Sequence, residues 1–379
     1  MPSDKPYILF CAGEDSGDCI GQALVRECVK ILPQVEILGA GGIRMQSAGL
    51  KPVVDFEVLP VSGFGDVLPR YFKLRRCYNA LKSALKSPRC LGLVAIDYPG
   101  FNMKLVSLAS KLGKPALYVA PPQAWAWKSK RARTLSRLSK VELAVFFDFE
   151  KSVYENAGCN VETVEHPFVG NVLGEDLEFN QSSDTKDLLL LPGSRIRQCL
   201  RNLPAYMKIA KNVVECRDAK ISILAARQSV ADAMNVYLQN KVCPDLRSKV
   251  KVVVSPQNGE DRLRLYRKAF AAISAPGTAT LELALAGCPT VVCAKPDFLT
   301  YHLVKRSVRT RFFALPNIIL DEKVFPEFLQ LDFPDEDCLC VASELVNEKC
   351  QFPVGKLVKR LSSGMKSSEL MSEFLAQFV

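Results

Sequence analysis

Short, continuous apolar runs alternate with helical patterns along most of this chain, and this alternation restricts the fold more than any other feature. In the first half the runs are Tyr7–Cys11, Glu36–Ala40, Leu91–Ile96, Ala116–Ala120 and Leu143–Phe147. Apolar runs without polar alternation are typical of parallel strands that helices cover on both faces. The pattern therefore predicts an α/β domain built on a parallel sheet.

A second series of the same kind follows a polar segment. The segment 174–186 reads GEDLEFNQSSDTK, and its lack of large aliphatic side chains predicts a domain linker. Further strands are predicted at Asp187–Leu191, Lys220–Ala225, Lys249–Val254, Ala269–Ser274 and Thr290–Ala294. We therefore predict two Rossmann-like domains, at 1–173 and 187–350, with a ligand cleft between them. A helical tail is predicted at 351–379, and the N-terminal domain is a candidate surface for it to pack against.

Composition excludes several classes of protein. With 379 residues and 48% hydrophobic residues, the chain is too long for one ordinary core and too apolar for global disorder. No apolar run reaches the roughly 18 residues that cross a bilayer, and we expect no signal peptide. The 14 cysteines form no CxxC pair and only two histidines exist, so we expect no zinc site and a reducing cytoplasm. The net charge of +10 fits either a solvated basic surface or a phosphate-bearing partner, on a nucleic acid, a lipid head group or a nucleotide.

Two polar segments directly follow predicted strands in the first half. In AGEDSGD, at 12–18, small residues permit a tight turn and close approach of a ligand, although a turn with a helix N-cap at Ser16 or Asp18 explains the segment too. In AIDYPGFN the strand ends in Asp97, where partial desolvation can raise the pKa of a carboxyl group enough for general base catalysis. The alternative makes Asp97 the N-cap of the helix that starts near Asn102.

Two comparable segments occur in the second half. LLLLPGSR passes from a strand into a helix start, where backbone N–H groups and the Arg195 guanidinium suit a diphosphate. The segment lacks the GK[ST] ending of a P-loop, which disfavours ATP chemistry. In SAPGTATLE a strand passes through Gly277 into a helix that Thr278 is expected to cap, and Glu282 can accept hydrogen bonds from both ribose hydroxyls. Together they predict a nucleoside diphosphate site.

Both tryptophans of the chain stand in QAWAWK, at 123–128, beside a helix that carries Lys130, Arg131 and Arg133. Aromatic rings next to cations can grip a sugar or a lipid phosphate. The alternative is a core tryptophan, a surface tryptophan and a solvated basic face.

The helix around 67–86 carries two patterns. A core stripe is predicted from apolar residues at three- and four-residue steps: Val67, Tyr71, Leu74, Tyr78, Leu81 and Leu85. A second set beside it combines apolar and basic side chains: Leu68, Arg70, Phe72, Lys73 and Arg76. Plain helix packing explains the stripe, whereas the second set predicts contact with a membrane surface.

Taken together, these segments resemble the lipid-A-disaccharide synthase family. The matching pieces are AGEDSGD at 12–18, AIDYPGFN at 95–102, QAWAWK at 123–128, LLPGSR at 190–195, GTATLE at 277–282 and LPNIIL at 315–320. They stand in the family's order and span nearly the whole chain. The resemblance implies the two-domain GT-B fold and an inverting, metal-free transfer from UDP-2,3-diacylglucosamine to the 6-hydroxyl of 2,3-diacylglucosamine 1-phosphate. It also implies a cytoplasmic enzyme that binds peripherally to the inner leaflet of the inner membrane. The resemblance implies no cofactor and no nucleic acid partner, and a homodimer is one candidate oligomeric state.

The resemblance also implies roles for individual residues. Asp97 corresponds to the family's candidate base, and Glu14 and Ser16 to a loop near the acceptor. The UDP-sugar site would include Arg195, Gly277, Thr278, Glu282 and Asn317. Three positions depart from the family pattern: Glu165, Cys199 and Pro276.

Two other functions compete with this one. A UDP-sugar 2-epimerase shares the fold, but such enzymes need several acid and base groups, commonly histidines, and only His166 and His302 are present. A non-catalytic basic protein that binds RNA or membranes would draw on the basic segments 128–140 and 305–311, although no RNA-binding motif is recognisable.

Overall fold

The computed structural model describes residues 4–60, 63–124, 130–172, 187–216, 219–295, 311–329, 338 and 353–378. The chain divides into an N-terminal unit, Met1–Pro167 with Leu361–Val379, and a C-terminal unit, Phe168–Arg360. These divisions differ from the predicted ends of the domains at 173 and 350. The predicted linker at 174–186 lies outside the described residues.

The N-terminal unit contains a seven-stranded parallel sheet in the order β3-β2-β1-β4-β5-β6-β7. Its strands are β1 (Tyr7–Ala12), β2 (Glu36–Ala40), β3 (Lys51–Pro52), β4 (Cys90–Ile96), β5 (Ala116–Val119), β6 (Val141–Val145) and β7 (Val161–Thr163). The C-terminal unit contains a six-stranded parallel sheet in the order β10-β9-β8-β11-β12-β13. Its strands are β8 (Asp187–Leu191), β9 (Lys220–Ala225), β10 (Val250–Val254), β11 (Ala269–Ser274), β12 (Thr290–Ala294) and β13 (Glu327–Leu329).

The helices connect these strands and follow in chain order. They are α1 (Asp15–Ile31), α2 (Ile43–Ser47), α3 (Gly63–Lys86), α4 (Pro99–Lys111), α5 (Lys130–Leu135), α6 (Asp148–Glu155), α7 (Ile196–Cys216), α8 (Gln228–Lys241), α9 (Pro244–Ser248), α10 (Gly259–Arg267), α11 (Thr278–Leu285), α12 (Leu315–Leu320), α13 (Val354–Leu361) and α14 (Ser367–Leu375). Of the helices in the described part of the chain, none combines the length and hydropathy that crossing a membrane requires.

The N-terminal sheet is buried on both faces, as its continuous apolar strands predict. Alternate residues of β1 enter different apolar clusters, with Leu9 and Cys11 in one and Ile8 and Phe10 in the other. The second cluster includes Phe374 of α14, so the end of the chain packs into the core of the N-terminal unit. Because successive side chains of a strand point to opposite faces, this division means that apolar side chains cover both sides of β1.

The predicted α/β class and parallel sheets are confirmed. Three strands had no counterpart in the sequence analysis, namely β3, β7 and β13, and each has only two or three residues. All three lie at the edge of a sheet. So short a segment carries too few residues for a hydrophobic pattern to stand out.

The predicted core stripe of α3 is wrong at Tyr71, whose side chain is 50% exposed. Of the α3 side chains that the structure describes, at 71–86, those of Cys77, Leu81 and Leu85 are buried. The side chains of residues 61–70, including Val67, lie outside the described part of the structure. The last turns of α3 therefore anchor it, while residues 71–76 are exposed except for Leu74, which is half-buried and packs against the core.

Candidate functional site

Each sheet reverses its strand order once, and loops at these two points hold most of the predicted site residues. The reversal lies between β1 and β4 in the N-terminal unit and between β8 and β11 in the C-terminal unit. Both neighbouring pairs are parallel, so their carboxyl ends share one edge of the sheet. Open α/β sheets bind ligands at such points because the chain leaves the two strands in opposite directions and opens a crevice. We call residues 13–18 with 97–102 the N-terminal switch point, and residues 192–195 with 275–282 the C-terminal switch point.

One glycine of AGEDSGD, Gly13, is required for packing, and a second, Gly17, is closely packed. A Cβ atom on Gly13 would lie 2.1 Å from Cδ1 of Tyr98, so only glycine leaves room for this ring. A Cβ atom on Gly17 would lie 3.2 Å from Cβ of Ala12. The loop after β1 is therefore shaped around the loop after β4.

Asp18 is a capping residue, but for α2 rather than for α1. Its carboxylate is 2% exposed and accepts hydrogen bonds from the backbone N–H groups of Arg44, at 3.2 Å, and Met45, at 3.1 Å. The N-cap position of α2 is Gly42, which has no side chain to cap the helix. Burial raises the pKa of Asp18, while the two backbone donors oppose that rise. Asp18 thus joins the switch-point loop to α2.

Glu14, between β1 and α1, and Ser16, in the first turn of α1, are half-buried next to these packed residues. Glu14 is the N-cap residue of α1, and its side chain does not cap the helix. Both side chains therefore border the N-terminal switch point, and their contact with an acceptor stays a prediction.

Asp97 and Tyr98 adopt an uncommon backbone conformation directly after β4. Their φ angles are +47° and +49°, in the left-handed region that non-glycine residues rarely occupy. Each such residue costs on the order of 1–2 kcal/mol. Two in succession persist only when the surrounding structure holds them in place, and such strain is concentrated at functional sites.

Three groups hold the backbone of Asp97. Its N–H donates to the carbonyl of Val119 at 2.9 Å. Its carbonyl oxygen accepts from Nδ2 of Asn102 at 2.8 Å and from the Tyr118 hydroxyl at 3.1 Å. Burial, together with the nearby Asp97 carboxylate, raises the pKa of Tyr118 well above its ordinary value, so the phenol keeps the proton that it donates.

Asn102 joins the two strands of the N-terminal switch point. It is fully buried, and its Nδ2 also donates to the carbonyls of Cys11 and Ile96, each at 3.0 Å. The alternative role of Asp97 as a helix cap is wrong, because α4 begins at Pro99 and its N-cap residue is Tyr98. The half-buried Asp97 is therefore a carboxylate held at a strand tip rather than a capping group.

At the C-terminal switch point, the turn after β8 depends on glycine and on a second buried asparagine. Gly193 has φ of +132°, and a Cβ atom there would lie 2.4 Å from Cδ of Gln198. Nδ2 of the fully buried Asn202 donates to the carbonyl of Pro192 at 2.8 Å. Its Oδ1 accepts from the N–H of Lys295 at 3.0 Å. Arg195 follows this turn, half-buried, directly before the first residue of α7.

The turn after β11 differs from the prediction in one respect. The N-cap residue of α11 is Gly277, with φ of +153° and ψ of −170°, and Thr278 is the first helical residue rather than the cap. A Cβ atom on Gly277 would meet no atom within 4 Å. Glycine is thus needed for its backbone conformation, and open space borders the first turn of α11.

Glu282 lies in a buried ion pair that the sequence did not predict. Oε1 of Glu282 accepts from Nε of Arg262 at 2.8 Å and lies 2.7 Å from Nη2. The residues are 8% and 3% exposed. Arg262 stands in the strongly charged segment EDRLRLYR, and the only signal of its burial is a face shared with Tyr266, four residues on.

Asn317 has no hydrogen-bonding capacity left for a ligand. It is fully buried, and its Nδ2 donates to the Phe325 carbonyl at 2.7 Å and to Oε1 of Glu327 at 2.8 Å. Its Oδ1 accepts from the N–H groups of Val324, at 3.0 Å, and Phe325, at 2.8 Å. Two donors and two acceptors are all that a side-chain amide offers. The geometry thus gives Asn317 a structural role in the 321–327 loop.

The described part of α3 includes three of the residues predicted to contact a membrane, and all three are exposed. Phe72 is 80% exposed, and its ring meets that of Tyr71 edge to face at 5.7 Å. Lys73 and Arg76 are also exposed. The side chains of Leu68 and Arg70 lie outside the described residues, as do residues 125–129 with both tryptophans.

His166 bears on the epimerase alternative. Its side chain is 2% exposed, and burial lowers its pKa to about 3. It is therefore neutral at physiological pH and poorly suited to proton transfer. His302 lies outside the described residues.

Comparison with known proteins shows which family the sequence resembles over most of its length. A family model described as lipid-A-disaccharide synthetase matches residues 8–366. A lipid-A-disaccharide synthase from Geobacter sulfurreducens is 34% identical over 332 residues, which cover 86% of this chain and 84% of the relative.

Solved structures resemble the fold at much lower identity. A UDP-GlcNAc 2-epimerase from Methanocaldococcus jannaschii, in complex with UDP-GlcNAc and UDP, has a TM-score of 0.62 at 14% identity, covering 98% of this chain and 99% of that one. The calicheamicin glycosyltransferase CalG4 has a TM-score of 0.54 at 15% identity, covering 100% of both chains. At such identities the likeness shows the fold alone, whereas the family model and the Geobacter relative extend over most of the sequence. The chain therefore belongs to the lipid-A-disaccharide synthase family, glycosyltransferases of lipid A biosynthesis.

Proposed function

We propose that the protein joins UDP-2,3-diacylglucosamine and 2,3-diacylglucosamine 1-phosphate in a single displacement for which Asp97 is the general base. The observation that carries this proposal is the tandem left-handed backbone of Asp97 and Tyr98 at the N-terminal switch point. A strained backbone tied down by several hydrogen bonds is expected where a catalytic side chain must keep one orientation. Glu14 and Ser16, at the tip of the neighbouring strand, are the proposed acceptor contacts.

The chemical step needs one proton acceptor and one stabilised leaving group. The Asp97 carboxylate takes the proton of the acceptor 6-hydroxyl, and that oxygen attacks the anomeric carbon of the donor sugar. The bond from this carbon to the β-phosphate oxygen breaks, UDP leaves, and the anomeric configuration inverts. A carboxylate positioned for this transfer contributes typically 100- to 10,000-fold to the rate.

The C-terminal switch point is the proposed UDP site. Arg195 offers a planar, permanently charged guanidinium for the diphosphate. Gly277 and Thr278 start α11, whose N-terminal backbone N–H groups attract negative charge. Glu282 is the proposed acceptor for the ribose hydroxyls. Asn317 supports this unit by holding the 321–327 loop and does not contact the donor.

The acyl chains of the substrates require the enzyme to reach a membrane. Exposing them to water costs about 0.8 kcal/mol for each CH₂ group. We propose that Phe72, Lys73 and Arg76 of α3, with Leu68 and Arg70 of the same helix, contact the anionic inner leaflet. The aromatic ring would enter the head-group region while the cations meet lipid phosphates.

A product assay tests the proposed reaction. Purified protein is incubated with both acylated substrates, and the lipid fraction is analysed by mass spectrometry while UDP is quantified. We expect a disaccharide monophosphate and an equal amount of UDP. A control with the UDP-sugar alone should release little UDP, and equal release with and without the acceptor would contradict the proposed transfer.

A further inference from the structure

We propose that Arg262 is a positioning residue for Glu282, and that it thereby sets the preference of the C-terminal switch point for ribonucleotides over 2′-deoxyribonucleotides. The proposal rests on the proposed UDP site. It adds to that site the group that orients the carboxylate expected to accept hydrogen bonds from the ribose.

The guanidinium of Arg262 connects two segments of the C-terminal unit. Nε and Nη2 both reach Oε1 of Glu282, at 2.8 Å and 2.7 Å. On its other side, Nη1 donates to the carbonyls of Pro256, at 2.9 Å, and Gln257, at 3.0 Å, in the loop after β10. The planar group has little freedom between these partners, so the carboxylate that it holds is also fixed.

The arrangement occupies one carboxylate oxygen and leaves the other available. Among the described residues, no group donates a hydrogen bond to Oε2 of Glu282, and 11% of this side chain remains accessible. An ionised carboxylate is an acceptor only, and it suits the two adjacent hydroxyl donors of a ribose. A ligand without the 2′-hydroxyl would lose one of these bonds.

Stability alone does not explain a buried pair of this kind. Taking two charges out of water is costly, and apolar residues of similar volume often stabilise a fold equally well. Arg262 is 3% exposed and its partner stands at the switch point, one turn into α11. A fixed orientation of the carboxylate is therefore the function that the geometry supports.

Lysine cannot replace arginine in this role. An ammonium group is a compact point charge, whereas the guanidinium reaches the carboxylate and the two loop carbonyls at the same time. Arg262→Lys should keep the positive charge but release the orientation of Glu282. Arg262→Gln keeps hydrogen-bond donors without the charge and provides a second, independent variant if one of the two fails to fold.

The test is the ratio of dissociation constants for 2′-deoxy-UDP and UDP, measured by calorimetry. We expect the wild-type protein to prefer UDP by roughly tenfold or more, as for a hydrogen bond to a charged group. Glu282→Gln, Arg262→Lys and Arg262→Gln should each lose most of this preference. Arg264→Lys is the matched control, because Arg264 lies on the same helix with its side chain 60% exposed, and it should keep the wild-type ratio.

The possible outcomes separate this inference from the site on which it rests. If Glu282→Gln loses the preference while both Arg262 variants keep it, the positioning role is overturned and the nucleotide site stands. If the wild-type protein does not bind UDP, the nucleotide site itself is overturned. If UDP binds but Glu282→Gln leaves the ratio unchanged, Glu282 does not read the ribose and this inference is overturned, while the UDP site stands. A merely structural Arg262 would lower the melting temperature and weaken both nucleotides equally, leaving the ratio as in the wild type.

Discussion

The two switch points use the same topology but prepare different chemical groups. At the N-terminal one, two non-glycine residues are forced into the left-handed region, and one carboxylate, that of Asp97, stands at the strand tip. At the C-terminal one, glycines adopt the positive φ angles, at Gly193 and Gly277, and a guanidinium, that of Arg195, follows the turn. Holding a carboxylate in one orientation is a requirement of catalysis, whereas backbone groups that a ligand can approach closely are a requirement of anion binding.

A buried asparagine stabilises each switch point, and the two asparagines differ in how completely they are bonded. Asn202 uses both ends of its amide, which join the carbonyl of Pro192 to the N–H of Lys295. Asn102 directs Nδ2 at three carbonyls, and among the described residues no group donates to its Oδ1. An unsatisfied buried acceptor costs about 1–3 kcal/mol, so Asn102 is better explained by the loop conformation that it holds than by stability.

The largest effects on activity should follow from replacing the two charged groups that distinguish the switch points, the carboxylate of Asp97 and the guanidinium of Arg195. Asp97→Asn keeps the shape of the side chain but cannot accept the proton, so turnover should fall by about 100- to 10,000-fold. UDP affinity should be unchanged.

Arg195→Ala should instead weaken the binding of UDP by roughly tenfold or more, the value of a charge-assisted hydrogen bond. Steady-state kinetics and calorimetry separate these effects, and an Asp97→Asn enzyme with wild-type turnover would end the assignment of the base.

The second test replaces each of the two buried asparagines by alanine. Asn102→Ala and Asn202→Ala should each lower the free energy of unfolding by about 1–3 kcal/mol, because buried groups lose their partners. Asn102→Ala should in addition reduce turnover at saturating substrate, since Asp97 is released, while UDP affinity is retained. Asn202→Ala should weaken UDP and leave the turnover of the bound complex near the wild-type value. Equal changes of both parameters in both variants would contradict the division of roles.

The third test uses the glycines. Ala at position 13 would place its Cβ 2.1 Å from the Tyr98 ring, so Gly13→Ala should cost about 1–3 kcal/mol by overpacking and lower turnover by moving Asp97. Gly277→Ala meets no neighbour within 4 Å, so its cost is backbone strain alone, about 1–3 kcal/mol, together with weaker UDP binding. Thermal unfolding combined with calorimetry measures both effects. If Gly277→Ala were neutral in stability and UDP affinity, the glycine conformation would have no role at this site.

The same contrast explains what the sequence could reveal. Asp97 was recognisable because a buried apolar run ends in a carboxylate, a pattern that local sequence displays. The buried ion pair of Arg262 could not be recognised in the sequence. Its partner Glu282 is twenty residues away on another helix, and only tertiary packing joins the two. Asn317 could be singled out because it stands in a family motif. Its structural role could not be predicted, because its four hydrogen bonds depend on the fold of the 321–327 loop. Long central strands were likewise predictable, while β3 was too short to show a pattern.

The smallest effect should come from the surface, where the two units again differ. Each exposes a large apolar side chain on a helix: Phe72 on α3, at 80%, and Val236 on α8, at 57%. Along its helix, Phe72 has exposed cations one and four residues away, at Lys73 and Arg76, whereas no cation stands within four residues of Val236 in the sequence. Phe72→Ser should leave stability within about 0.5 kcal/mol, since the side chain packs little. Binding to anionic liposomes should weaken by roughly 1 kcal/mol, or about fivefold, because an aromatic ring no longer enters the head-group region.

Val236→Ser is the matched control and should float with liposomes like the wild type. High salt should release part of the wild-type protein, because exposed cations are screened. If Phe72→Ser floats like the wild type at every salt concentration, the membrane contact does not include Phe72, and the proposed surface on α3 must be abandoned.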